Sequence, residues 1–240
     1  GIYVYDDNNR EYIEGAAGLW CASLGFSNER LDKVAYDQIR KLGFYHSYRS
    51  HSHEAAIDLA EKLIQIAPVP MSKVLLQCSG SEANDTAIKL VWYYHHAIGK
   101  PEKRKIISRM GAYHGSTAVS ISASGKPEMH ADFGLPFPQF RHTENPHYYR
   151  RHNEGESEEA FATRMADALE AMILEEGPET VAAFFAEPVM GAGGAILPPK
   201  TYFEKVQAIL KKYDILFVAD EVICGFGRTG NMWGSQTYNL

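Results

Sequence analysis

The sequence predicts an α/β protein, a three-layer α/β/α arrangement around a mainly parallel sheet. Three observations carry this. The run Asp214-Ile215-Leu216-Phe217-Val218-Ala219-Asp220-Glu221-Val222 is rich in Val, Ile and Phe, as a parallel strand covered on both faces would be. From about residue 74 onward, strand-like and helix-like patterns alternate, which argues for βα units. Small-residue turns such as Ser79-Gly80-Ser81 and Gly111-Ala112 follow the predicted strands, where open α/β sheets place their ligand crevice.

Taken in order, residues 1–26 read as short strands and turns, with Asp6-Asp7-Asn8-Asn9 as a hairpin turn. A helix is expected from Ser27, as N-cap, to about Leu42, and another over 52–66, ending before Pro68. Strand Val74-Leu75-Leu76 leads into Ser79-Gly80-Ser81-Glu82 and a helix to about Gly99. Strand Lys105-Ile106-Ile107-Ser108 precedes Gly111-Ala112-Tyr113-His114-Gly115 and a short helix. Residues 125–156, dense in Pro, His, aromatics and charge, read as a long ordered loop of the kind that carries function. A helix over about 157–176, strand Val181–Phe185 ending at Glu187-Pro188, and a helix over about 201–212 complete the series. The division expected is 1–50 as part of a small N-terminal segment with the dimer contact, and 51–240 as the large domain.

Composition narrows the function. The 240 residues carry a net charge of −6, with basic residues scattered, which argues against nucleic acid as main partner. No apolar run approaches the roughly 20 residues of a membrane span, and no secretory signal is read at Gly1. Cys21, Cys78 and Cys224 are too few and too dispersed for a disulfide framework or zinc site, so reduced thiols and a cytoplasmic location are expected. Both ends read as cut: Gly1 opens inside an apparent strand, and Trp233–Leu240 stops without a closing element. The expectation is a portion of a longer polypeptide.

Three features converge on one sheet edge. Ser79-Gly80-Ser81-Glu82-Ala83-Asn84 lies between a strand and a helix, where glycine permits close approach and free N–H groups receive an anion such as phosphate. Small residues also open many helices that bind nothing. Tyr113, after another strand, is either core packing or a stacking platform for a planar ligand. Asp220 ends the apolar strand, and a carboxylate there is costly unless something positive meets it. A phosphate cup, an aromatic stack and a carboxylate for a cationic ring nitrogen together suit pyridoxal 5′-phosphate.

The motifs carry a resemblance. Gly18-Leu19-Trp20-Cys21, Ser79-Gly80-Ser81-Glu82-Ala83-Asn84-Asp85, Gly111-Ala112-Tyr113-His114-Gly115-Ser116-Thr117, Glu187-Pro188-Val189-Met190-Gly191-Ala192-Gly193-Gly194 and Asp220–Gly230 occur in that order. The chain resembles the class III (omega) aminotransferases, pyridoxal-phosphate enzymes of fold type I, along nearly its whole length. The resemblance implies that Gly80 and Ser81 hold the phosphate, Tyr113 stacks on the ring and His114 lies beside it. It places Glu187 by the ring hydroxyl, Asp220 on the ring nitrogen and Val222 on the face opposite Tyr113. Trp20, Ala192 and Ile223 would line the substrate pocket, with Tyr48 reaching in from the second subunit of a homodimer. The Leu19-Trp20-Cys21 form resembles the amine:pyruvate branch, and an apolar pocket at Trp20 suits amines lacking an α-carboxylate.

One departure stands out. The family's catalytic lysine follows the Asp220 strand by a few tens of residues, and this chain has no lysine beyond Lys212. Lys200, Lys205, Lys211 and Lys212 have a solvated-face pattern and are not substitutes, so no catalytic residue is assigned within the chain. The family's carboxylate-binding arginine is missing as well.

The expected activity is transfer of an amino group from a primary amine or ω-amino acid to pyruvate or a similar 2-oxo acid. The alternatives are a class III aminomutase and a non-catalytic cofactor-binding remnant. A metal site at His51-Ser52-His53-Glu54 lacks the second helical histidine of a zinc protease motif, and solvated or N-cap histidines fit better. No Gly-x-x-x-x-Gly-Lys-Ser/Thr precedes Asp220-Glu221, which removes a P-loop reading. His147–His152 is expected to be a polar surface loop or part of the dimer contact.

Overall fold

The computed structural model describes residues 2–240. They form two compact units, one ending at Val74 and one running from Leu75 to Leu240.

In the first unit, β1 (Tyr3–Tyr5) and β2 (Glu11–Ile13) pair antiparallel. The Asp6 carboxylate closes their turn by accepting from the N–H groups of Asn8 and Arg10, an aspartate hydrogen-bonding its own backbone. A short segment, α1 (Ala17–Trp20), follows with positive φ throughout. Helix α2 (Glu29–Leu42) starts one residue later than expected, because the Asn28 side chain, not Ser27, accepts from the third helical N–H, Leu31. Helix α3 (Glu54–Ile66) is capped by Nδ1 of His53, which accepts from Ala56 N–H. The His51–Glu54 cluster is therefore a helix start. Neither α2 nor α3 has a buried residue.

The second unit carries the parallel sheet. Helix α4 (Gly80–Ala97) comes first, then β3 (Lys105–Arg109), α5 (Ala118–Ala123), β4 (Phe140–Thr143) and α6 (Tyr148–Arg151). Helix α7 (Glu158–Glu176), β5 (Val181–Ala186), α8 (Tyr202–Lys212), β6 (Leu216–Ala219) and α9 (Gly234–Tyr238) complete it. Strand order is β4-β3-β5-β6, and all three pairings are parallel.

Strand alternation produces the three layers. Ile107, Phe184 and Ala186 pack with Phe161, Leu169, Val206 and Leu210 of α7 and α8. Their neighbours Ile106, Ala183 and Phe185 face the other way, onto Ile88 and Val91 of α4. Successive side chains of a strand point to opposite faces, so β5, buried at all six positions, is apolar throughout.

Three expectations are corrected. Val74–Leu76 is not a strand: Leu75 and Leu76 are exposed, and no described strand pairs with them. The expected loop over 125–156 contains β4, which completes the β3 edge through Ile106↔Phe140 to Arg109↔Thr143. The strand before Asp220 spans only Leu216–Ala219 and is half-buried, because among the described strands it pairs on one side alone, with β5.

Among the described residues no helix is long and apolar enough to cross a membrane, and no group of three potential metal ligands occurs.

Candidate active site at the carboxyl ends of the strands

Asp220 follows β6 directly and is almost fully buried. Its Oδ2 accepts from Nδ1 of His114 at 2.8 Å and from Nδ2 of Asn84 at 2.9 Å. Its Oδ1 accepts from the N–H of Val222 at 3.1 Å. Burial alone would raise this carboxyl; the donors from His114, Asn84 and Val222 outweigh it and hold the group below its ordinary value. The result is an ionised carboxylate in a low-dielectric position, a strong field for any cation brought to it.

The start of α4 lies against the segment after Asp220. Ser79 caps the helix, its hydroxyl accepting from Glu82 N–H. That leaves the first helical N–H groups, those of Gly80 and Ser81, without an acceptor among the described residues. A Cβ built on Gly80 would stand 3.0 Å from Cγ2 of Val222, so the glycine lets this strand end and helix start close up. The Ser81 hydroxyl accepts from Ser116 N–H at 3.0 Å, tying α4 to the loop after Tyr113. One turn into α4, Asn84 faces the same way as Gly80 and donates to both Asp220 and the His114 carbonyl.

A second buried carboxylate ends β5. Glu187 Oε1 accepts from Tyr113 N–H at 3.1 Å, and Oε2 from Gly191 N–H at 2.8 Å. Here burial prevails over those bonds and over the nearby His114 and Arg109, and the carboxyl is raised. Arg109, fully buried at the end of β3, donates through Nη2 to the Glu187 carbonyl at 2.6 Å and lies over the Phe203 ring. Ile223 packs against Gly191, where a Cβ would overlap it, and the Ala192 carbonyl accepts from Lys126 at 3.4 Å.

Asp220's neighbour Glu221 does different work. Its carboxylate accepts from the N–H groups of Gly234 and Ser235 and from the Ser235 hydroxyl, and so fixes the start of α9.

The sequence model of the family Aminotransferase class-III matches residues 1–240. Among curated relatives, "Gamma aminobutyrate transaminase 3, chloroplastic" of Solanum lycopersicum is 57% identical over all of this chain and 46% of its own. "Vanillin aminotransferase" of Capsicum frutescens is likewise 57% identical, over all of this chain and 52% of its own. The structure of the omega transaminase from Pseudomonas jessenii in complex with PMP superposes with a TM-score of 0.98 at 60% identity, over all of this chain and 53% of that one. The chain belongs to the class-III aminotransferases. It spans about half the length of the curated relatives it matches.

Within this class-III aminotransferase chain, the structure brings together Gly80, Ser81, Tyr113, His114, Glu187, Asp220 and Val222, with Ala192 and Ile223 on the adjoining loops. Tyr113 is half-buried with Glu187 fixing its backbone. The His114 side chain is fully buried and reaches Asp220, so its geometry is that of a positioning residue acting through the carboxylate. Trp20 and Tyr48 belong to the first unit, where Trp20 ends α1 and Tyr48 is exposed under the Arg49 guanidinium. Lys200, Lys205 and Lys212 pair with Glu158, Glu159 and Glu170 of α7.

Sequence reasoning left Asn84 and Arg109 without roles. Asn84 had a local signal, its position one turn after Gly80. Arg109 had a weaker one, a charge closing an apolar strand.

Proposed function

We propose that this chain is the cofactor-holding part of an aminotransferase that moves an amino group from a primary amine or ω-amino acid to pyruvate or a similar 2-oxo acid. The observation that carries it is the Asp220 carboxylate, buried and yet held ionised beside the open N-terminus of α4.

Pyridoxal phosphate fits these residues. Its cationic ring nitrogen is a partner for the Asp220 charge, and the free Gly80 and Ser81 N–H groups suit its phosphate. Tyr113 and Val222 would take the two ring faces, and Glu187 would set the loops at 113 and 191 around it. When bound, the cofactor supplies an electron sink for charge developing on the substrate carbon. The chain's own contribution is electrostatic and positional. Asn84 and His114 keep Asp220 ionised and oriented, and in that state the carboxylate would favour a protonated ring nitrogen on a bound cofactor. Glu187, raised by burial, fixes the backbone at Tyr113 and Gly191. The reading assigns no lysine of this chain to the chemistry.

Trp20, Ala192 and Ile223 are proposed to line the substrate pocket, with Tyr48 contributed across a homodimer. The exposed apolar side chains of α2, Leu31, Val34 and Ile39, support a partner surface on that unit. A cytoplasmic location is proposed on the free thiols of Cys21, Cys78 and Cys224.

The test is product analysis. The full-length parent polypeptide, supplied with pyridoxal phosphate, pyruvate and either 4-aminobutyrate or benzylamine, is expected to release alanine and the matching aldehyde. Binding of the cofactor with no alanine from any primary amine would overturn the reading in favour of a non-catalytic binder.

A further inference from the structure

Ser108 of β3 stands opposite His142 of β4, two residues past the Ile106–Phe140 pair. Ile106 and Phe140 pack in one cluster with Ala123 of α5. Side chains two apart on a strand share a face, so Ser108 and His142 point to that side as well. Buried polar groups on such a face are met by partners, and α5 supplies them. Ser108 Oγ donates to the Ala123 carbonyl, and His142 Nε2 donates to the Ser122 carbonyl at 3.1 Å. His130, which ends the turn at Pro127–Met129, donates through Nε2 to the Ile121 carbonyl at 2.8 Å. A carbonyl only accepts, so each histidine carries a proton on Nε2. The last carbonyls of a helix lack helical N–H partners; here three consecutive ones are met by side chains from outside the helix.

Both ends of α5 reach the candidate site. Before its first turn, Ser116 N–H donates to the Ser81 hydroxyl at 3.0 Å, and the N-cap Thr117 donates to the Asp85 carboxylate at 2.7 Å. After its last turn, the C-cap Ser124 hydroxyl accepts from His114 N–H at 2.8 Å, and the His114 ring meets Asp220. The packing at the first end is close: a Cβ on Gly115 would overlap Ser120 Oγ and stand 2.7 Å from Ser81 Oγ. Helix α5 therefore runs from the start of α4 to the support of Asp220.

We propose that α5 is a strut that sets the separation between the Gly80–Ser81 phosphate cup and the Asp220 carboxylate, held by Ser108, His130 and His142 as positioning residues. These three act through the α5 carbonyls. A cofactor with a phosphate at one end and a ring nitrogen at the other engages both points only when their separation is right. A ligand with one of those groups is indifferent to it, so the strut contributes by preorganisation. The inference rests on the pyridoxal phosphate fit proposed above.

The test is calorimetry on the full-length protein freed of cofactor, with pyridoxamine phosphate, pyridoxamine and inorganic phosphate as probes. None of them carries an aldehyde to react with a lysine. His142→Phe and Ser108→Ala each delete one donor. Each is expected to weaken pyridoxamine phosphate about tenfold, the scale of one hydrogen bond, while pyridoxamine and phosphate change by about twofold at most. His142→Gln, whose amide N–H replaces the Nε2 donor, should restore the wild-type affinity. Unchanged affinity for pyridoxamine phosphate in both deletions would overturn the proposal. An equal loss for all three probes would also overturn it, since the donors would then support the fold in general. Wild-type protein that bound phosphate but no pyridoxamine phosphate would overturn the cofactor reading itself, and the strut with it.

Discussion

The ends of β5 and β6 are adjacent in one sheet and each delivers a buried carboxylate, yet the two are driven in opposite directions. Asp220 receives two side-chain donors, His114 and Asn84, besides one backbone N–H, and stays below its ordinary value. Glu187 receives two backbone N–H groups, and burial lifts it. The difference lies in what the donors are attached to. Tyr113 and Gly191 donate from loop backbones, so Glu187 braces loops; Asn84 and His114 donate from buried side chains, so they brace Asp220. One carboxylate is built as a charge and the other as a clamp. Groups pushed apart in this way mark sites where chemistry assigns distinct roles.

The largest expected effect is on the charge. Asp220→Asn should lower kcat of the full-length enzyme by about 10²-fold or more, the scale of losing one preorganised electrostatic partner. Asp220→Glu should recover part of it. Equal kcat in Asp220→Asn and wild type would remove the distinction between the two carboxylates.

Next is the support for that charge. Asn84→Ala removes one of the donors that offset burial, so the Asp220 pKa should rise and the acid limb of the kcat–pH profile should move toward neutral pH. A merely structural loss would lower kcat at every pH without moving the limb.

Stability should separate the pair by sign. Asp220, depressed when folded, contributes stability that is present above its unfolded value of 3.8 and is lost as pH falls through its folded pKa. Glu187, raised when folded, contributes stability that is fully present below its unfolded value of 4.5 and is lost as pH rises through its folded pKa. Denaturant unfolding of wild type, Asp220→Asn and Glu187→Gln across this range should give differences of opposite slope. Parallel curves would contradict the contrast.

Much of the fold was legible because it is local. Ser79 and Ser157 cap the helices expected from them, and β5 is apolar at successive positions because helices cover both faces. The misreadings involve pairing. Phe140–Thr143 looked like loop because its strand character depends on β3, more than thirty residues earlier. Val74–Leu76 has a strand's composition and no described partner. At the site, the position of Asp220 after an apolar strand could be read directly. Asn84 could not be assigned, since its partner lies 136 residues away, and no single-sequence pattern reports that distance.

The smallest expected effect lies away from the pair. His142 is depressed from 6.5 to about 4, by burial first and then by His130, whose ring lies 5.7 Å away. A histidine neutral in the fold and protonated when unfolded makes stability fall as pH drops from 6.5 toward 4. The slope is at most about 1.4 kcal/mol per pH unit. His142→Phe should flatten thermal unfolding over that window; an unchanged slope would place the loss elsewhere.

The most direct test is to observe the protonation of the two carboxyls. Infrared titration of the full-length protein labelled with [13C]aspartate or [13C]glutamate, with Asp220→Asn and Glu187→Gln used to assign the bands, reads each group separately. The account predicts that Asp220 protonates below 3.8 and Glu187 above 4.5. Titration of both at their ordinary values, or in the reverse order, would contradict it.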